Sequence, residues 1–168
     1  MPKIIENLQQ RLTAEARKQI EESGYSAVTI RSIAKGCGVG VGTVYNYFSS
    51  KDVLLAAYML EDWNRCIAAI EAVSADSSDP APVARCVHQQ VLAFVRQQEA
   101  VFRDEAALVS FAGSFNRYHT MLRSQLAQPL RKFCDNDFTA DFIAENLLIW
   151  TLAGKPFEEI YGILKKLF

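Results

Sequence analysis

The chain has 168 residues, half apolar and 22% charged, an ordinary globular composition large enough for one compact unit or two small ones. Its net charge of -1 hides an asymmetry: residues 1–51 hold seven Lys/Arg against four Glu, while the remainder holds 11 basic against 15 acidic side chains. A basic end on a near-neutral chain points toward a polyanionic partner. The four cysteines (Cys37, Cys66, Cys86, Cys134) are scattered, with no C-x-x-C and no close His pair, which excludes a disulfide scaffold or zinc module.

In chain order the periodicity is helical throughout, and no stretch alternates as a strand. A first helix is expected from about residue 4 to 23, stopped by Gly24. Thr29 caps a short helix reaching Gly36, and a glycine-spaced turn leads to a second short helix from Gly42 to Phe48. Ser50 caps a long helix whose first turn holds Asp52, a carboxylate suited to the positive end of the helix dipole. Leu55, Met59, Trp63, Cys66, Ile67, Ile70 and Val73 repeat along it every three or four residues.

The polar run Ser74-Ala75-Asp76-Ser77-Ser78-Asp79-Pro80 is the clearest loop, and Pro80 and Pro82 favour a new helix start. Further helices are expected over about 81–97, 99–112, 114–133, 138–153 and 157–168. Pro129 should kink or shorten the third of these. The expected fold is therefore all-α, about nine helices, with a three-helix head at residues 1–51 and a helical body at 52–168. No secretory leader or membrane span is expected, which suits a cytoplasmic protein.

Residues 29–48 carry the functional signal. Ala34 is small where two helices must pack closely, and Gly38 falls where the turn wants a positive φ. Ile33, Val39 and Val44 supply buried faces. This spacing is a helix-turn-helix arrangement. A core hairpin would have a bland second helix, whereas Thr43, Tyr45, Asn46 and Tyr47 place four hydrogen-bonding groups within five residues.

The run Gly24-Tyr25, Thr29, Ile33-Ala34, Gly38-Val39, Gly42-Thr43-Val44-Tyr45-Asn46-Tyr47-Phe48 and Ser50-Lys51-Asp52 resembles the DNA-binding domain of the tetracycline-repressor (TetR) family, over about the first 55 residues. The resemblance implies a homodimer reading a near-palindromic operator in double-stranded DNA. Thr43, Tyr45, Tyr47 and Lys51 would then contact phosphates, Arg31 and Asn46 would reach base edges, and Thr29 would cap its helix close to the backbone. Two departures stand out: Gly40 replaces a common Ser/Thr, and Val41 replaces a common polar residue, leaving Val41 to pack on a thymine methyl. Gly36 replaces a better helix former.

In the body, Tyr58, Met59, Trp63, Phe94, Phe102, Phe111, Phe115, Tyr118 and Met121 either fill a core or line a pocket; the resemblance implies a small apolar or amphipathic effector that releases the operator. Phe142, Ile143, Leu147, Trp150, Phe157, Ile160 and Leu164 on the last two helices read as a dimer interface. His88 and His119 read as surface or satisfied polar groups, and Cys37, Cys66 and Cys86 as small buried hydrophobes, a thiol redox switch being the alternative if one is exposed. No nucleophile–base pair, metal spacing or complete phosphate loop is present, so no enzyme, cofactor or metal is expected. A regulator without an effector and a helical small-molecule carrier are the alternatives; specific duplex binding separates the second from the rest.

Overall fold

The computed structural model describes residues 7–112 and 115–168; the side chains of residues 111, 112 and 115–117 lie outside that description. Among the described residues it is all helix. The elements are α1 (Leu8–Ser23), a 3-10 turn (Tyr25–Ala27), α2 (Ile30–Cys37), α3 (Val41–Tyr45), α4 (Lys51–Asp76), α5 (Pro80–Gln97) and α6 (Glu99–Phe102). They continue with α7 (Glu105–Ala112), α8 (Phe115–Ala127), a 3-10 turn (Gln128–Phe133), α9 (Asp137–Leu152) and α10 (Phe157–Leu164).

Two expected helices differ in detail, each for a local reason. The helix expected over 99–112 is broken at Arg103-Asp104. The Asp104 carboxylate accepts from the backbone N–H of Ala106 at 3.0 Å and Ala107 at 3.3 Å, so it starts α7 afresh. The helix expected over 114–133 gives way at Gln128, beside Pro129, to a 3-10 turn.

Packing divides the chain into two compact units. The first runs to Asp62 and takes in Gln98–Ala112; the second comprises Trp63–Gln97 and the chain beyond residue 112. The boundary drawn from sequence at 51/52 therefore differs from the division by packing, which falls inside α4 and returns a distant segment to the head.

The head has its own core. Leu8, Leu12, Ala16 and Ile20 repeat every four residues along one face of α1, as buried positions of a surface helix do. They meet Ile30, Ile33, Ala34 and Cys37 of α2, Val44 of α3, Phe48, and Leu54, Leu55 and Tyr58 of α4. Val101 and Ala107, from the returning segment, close the same cluster.

The second unit centres on α9, which packs against α8, α5 and α10. Its core joins Trp63, Ile67 and Ile70 to Val83, Val87 and Val91, to Leu126 and Leu130, and to Ile143, Leu147, Phe157, Ile160 and Leu164. The end of α4 is tied down by the Ser74 hydroxyl donating to the Pro129 carbonyl at 2.8 Å and by Lys132 donating to the Ser77 carbonyl at 2.8 Å.

This core corrects the expected dimer interface. Ile143, Leu147, Phe157, Ile160 and Leu164 are at most 5% exposed within one chain. A side chain that fills its own core offers a partner little surface. Of the expected interface set, only Phe142 and Trp150 remain exposed, and Phe138, Ile149, Leu152 and Ile163 join them.

Candidate nucleic-acid interface

The head builds its exposed face from the turn outward. Thr29 caps α2: its hydroxyl accepts from Ser32 N at 3.0 Å, and the Ser32 hydroxyl accepts from Thr29 N at 3.1 Å. This reciprocal box fixes where α2 begins. It ends at Gly38, whose φ of 67° is the left-handed conformation a side chain would strain, and whose N–H returns to Ala34 and Lys35 carbonyls.

Helix α1 holds α2 from behind. Arg11 donates to the Cys37 carbonyl at 2.9 Å and Gln19 to the Ser32 carbonyl at 3.1 Å. Gln19 also donates to Glu15 at 2.7 Å, and the Glu15 side chain lies so close to Gly36 that any Cβ there would collide with it. A side chain at this position would have to push Glu15 aside.

With α2 fixed, α3 has little choice. Gly40 begins it without a side-chain cap, and Val44 turns fully into the core. The remaining positions face outward. Val41 is 37%, Tyr45 52% and Tyr47 43% exposed. Asn46, Arg31 and Thr29 are exposed, and Thr43 and Lys51 half-buried. All eight residues expected at DNA therefore retain accessible surface. Residues 36–50 contain no charged side chain, so charge comes only from flanking Arg31, Lys35 and Lys51.

Lys51 is more constrained than sequence suggests. Its ammonium donates to the Tyr25 carbonyl at 2.9 Å and lies 3.7 Å from the Tyr25 ring centroid. Both contacts hold the ammonium against Tyr25 while Lys51 stays half-buried. Next to it, Asp52 accepts from the Tyr25 hydroxyl and, at 2.7 Å, from the Ser110 hydroxyl. Burial, then the bond to Asp52, pushes the Tyr25 hydroxyl pKa up to about 12.

Two more carboxylates bind the returning segment. Asp104 accepts from Ser26 N at 2.9 Å and the Ser26 hydroxyl at 2.8 Å, which holds its pKa below the usual carboxylate value. Asp62, 1% exposed, accepts a forked pair from Arg17 at 2.6 and 2.7 Å and a third bond from Gln98 at 2.6 Å. Sequence reasoning did not single out Ser32, Asp62, Gln98 or Asp104; each acts through a partner distant in sequence or through local cap geometry.

The residues expected to line an effector pocket fall into different units. Tyr58 is buried, Met59 half-buried and Phe102 39% exposed in the head. Trp63, Phe94, Tyr118 and Met121 belong to the second unit, and Phe111 and Phe115 have side chains outside the described ones. The Trp63 indole donates to Gln125 at 2.7 Å and meets the Phe94 ring edge-on at 5.3 Å. Tyr118, Met121 and Gln125 are spaced three and four apart on α8 and so share one face.

The remaining polar candidates are satisfied. His88 is buried, with its ring nitrogen 3.1 Å from the Lys155 carbonyl, and His119 approaches Glu145 at 3.3 Å. Cys37, Cys66 and Cys86 are buried, and burial raises the Cys37 and Cys86 thiols above their ordinary pKa. Among the described residues, no His, Cys, Asp or Glu group is placed to hold a metal, and no helix is long and apolar enough to cross a membrane.

A capped helix pair closed by a left-handed glycine, with hydrogen-bonding groups exposed on its second helix, defines a helix-turn-helix protein. Residues 12–58 match the model of bacterial regulatory proteins of the tetR family. That match takes in the head alone, and it shows what this domain is similar to.

The regulator UidR of Escherichia coli K12 is 34% identical over 58 residues, a stretch that takes in 34% of this chain and 30% of UidR. Among solved structures, SCO7518 of Streptomyces coelicolor A3(2) superposes with a TM-score of 0.73 at 16% identity, covering 96% of this chain and 98% of that one. The TetR family repressor AlkX of Dietzia sp. strain DQ12-45-1b, implicated in biodegradation of n-alkanes, gives 0.62 at 16% identity over 95% and 92%. At that identity the structural likeness shows the fold, and the sequence match reaches only the head.

Proposed function

We propose that the chain is a dimeric transcriptional repressor that binds a near-palindromic operator through α3. The observation that carries this is the exposed face of α3: Val41, Tyr45, Asn46 and Tyr47 open to solvent on a helix whose opposite side, at Val44, is locked into the core. A helix this short is rigid only because its neighbours hold it, and a rigid display of polar groups is what base-edge recognition requires. Hydroxyls of Tyr45, Tyr47 and Thr43 and the Lys51 ammonium fix the register on phosphate, while Asn46 and Arg31 choose bases.

Selection of random duplex DNA by the purified chain, followed by sequencing, tests the reading. An enriched inverted repeat supports it; no enrichment from folded protein refutes it. Asn46→Ala should then relax preference at one base position at about 1–3 kcal/mol, whereas Tyr45→Phe should weaken binding evenly across sequences.

Dimerisation is supported by the exposed face of α9 and α10. Phe138, Phe142 and Trp150 on α9 and Ile163 on α10 are 44–77% exposed. Trp150 and Ile163 line a groove of about 180 Å³ with Asn146, Lys155, Glu159, Ile160 and Leu164. Apolar side chains clustered in this way usually mark a partner surface. Ile163→Asp should yield a monomer by sedimentation and lose operator affinity; an unchanged dimer would place the interface elsewhere.

The effector is the finer part of the proposal: a small apolar or amphipathic molecule held by Trp63, Phe94 and the Tyr118–Met121 face of α8. Its support is the concentration of large, adaptable side chains there. A thermal-shift screen of apolar amphiphiles should find a compound that both raises the melting temperature and weakens operator binding. A broad library yielding none leaves a repressor without an effector.

A further inference from the structure

We propose that Val41 is a specificity-determining residue of the head and reads the C5 methyl group of a pyrimidine in the major groove; this rests on the DNA-binding function proposed above. The argument starts from what surrounds Val41. It is the first residue of α3, 37% exposed, and on each side stands a glycine. A Cβ added at Gly42 would meet nothing within 4 Å, and one at Gly40 would meet only the Thr43 hydroxyl, at 3.7 Å.

Neither glycine has a positive φ, and neither is crowded by the protein itself. Inside the head, then, no packing or backbone reason requires them. This differs from Gly36, where a Cβ would displace the Glu15 side chain, and from Gly38, whose positive φ the turn demands. What the two glycines accomplish is external. They strip the flanks of a single branched apolar side chain, so that a flat surface can approach the backbone on either side of it.

The exposed face of α3 is otherwise polar and uncharged. Tyr45 follows Val41 one turn on, with Asn46 beside it, and no charged residue occurs from 36 to 50. An isolated isopropyl group offers a base edge no hydrogen bond; it gains only by burying apolar surface. In the major groove the apolar group available on a base edge is the pyrimidine C5 methyl, carried by thymine and by 5-methylcytosine. Guanine and adenine edges would lose hydration against Val41 and receive nothing in return.

The test uses the full chain and the operator it selects from random duplex DNA. In that operator each thymine is replaced in turn by deoxyuridine, which deletes the methyl and leaves every hydrogen-bonding atom in place. One position in each half-site should weaken binding about fourfold, the value of one buried methyl-sized group. Val41→Ala, at an exposed site that leaves the core untouched, should abolish that loss while retaining the sensitivity of other positions.

The source of the methyl is read from the selection itself. A thymine at the sensitive position in unmethylated DNA identifies thymine, while enrichment of a cytosine there only from a cytosine-methylated pool identifies 5-methylcytosine. An operator bound specifically but indifferent to every deoxyuridine substitution overturns the assignment. So does a deoxyuridine effect that persists unchanged in the Val41→Ala protein. Absence of any selected operator is a separate failure, that of the repressor reading.

Discussion

Removing the Asp62 carboxylate should be among the most damaging single changes in the head. Asp62 is 1% exposed and anchors three hydrogen bonds, two from Arg17 at 2.6 and 2.7 Å and one from Gln98 at 2.6 Å. In Asp62→Ala the Arg17 guanidinium loses its counter-charge, but its side chain is 21% exposed and partly recovers hydration. That reduces the roughly 3–5 kcal/mol expected for breaking a buried pair to about 2–3 kcal/mol. Gln98 is only 2% exposed, and its stranded amide adds about 1 kcal/mol. A total of about 3–4 kcal/mol follows. Urea unfolding at neutral pH measures it, and a cycle with Arg17→Ala isolates the paired part. A loss under about 1 kcal/mol would refute the reasoning, because it would mean the network is not formed in the folded protein.

Three other outcomes are expected. Gly36→Ala should fail to deliver the roughly 1 kcal/mol that helix propensity promises, because the Glu15 side chain occupies the methyl's place; in an Glu15→Ala background the gain should appear in thermal melts. Gly40→Ser should stabilise the head by a few tenths of a kcal/mol by capping the Thr43 N–H, and should weaken DNA binding, because its side chain fills a flank left open beside Val41. Tyr25, with its pKa raised to about 12, contributes stability that is fully present below pH ~10, the unfolded value, and is lost as pH climbs toward 12; alkaline denaturation should be shallower over that window in Tyr25→Phe.

The head was legible from sequence because its signals are local. Thr29, Gly38 and Ser50 act within a few residues of themselves, and the structure places each at the cap or turn expected, Ser50 accepting from Val53 N at 3.2 Å. Periodicity also found the apolar stripes of α9 and α10. It could not say which stripe faced inward. α9 is apolar on more than one face, so Leu147 and Trp150, three residues apart, read alike until α5, α8 and α10 are seen to cover one and leave the other 46% exposed. Nor does any local pattern announce that Ser26 will bond Asp104, 78 residues on. Such pairings belong to tertiary structure alone.

The head is sewn from two stretches of chain, up to Asp62 and from Gln98 to Ala112, and this sets an order of events during synthesis. As residues leave the ribosome, the first stretch emerges with Asp62 and Asp52 still lacking Gln98 and Ser110, and with no Val101 to seal its core. It waits through all of α5. Once Ala112 is out the head can close, while α5 still lacks α8, α9 and α10 to cover its buried face. At the usual pace of about 5–20 residues per second that interval lasts seconds. The head is therefore the first to mature. The core faces of α5 and of the second half of α4 stay bare until the later helices emerge, so the nascent body, rather than the head, is the state a chaperone would attend.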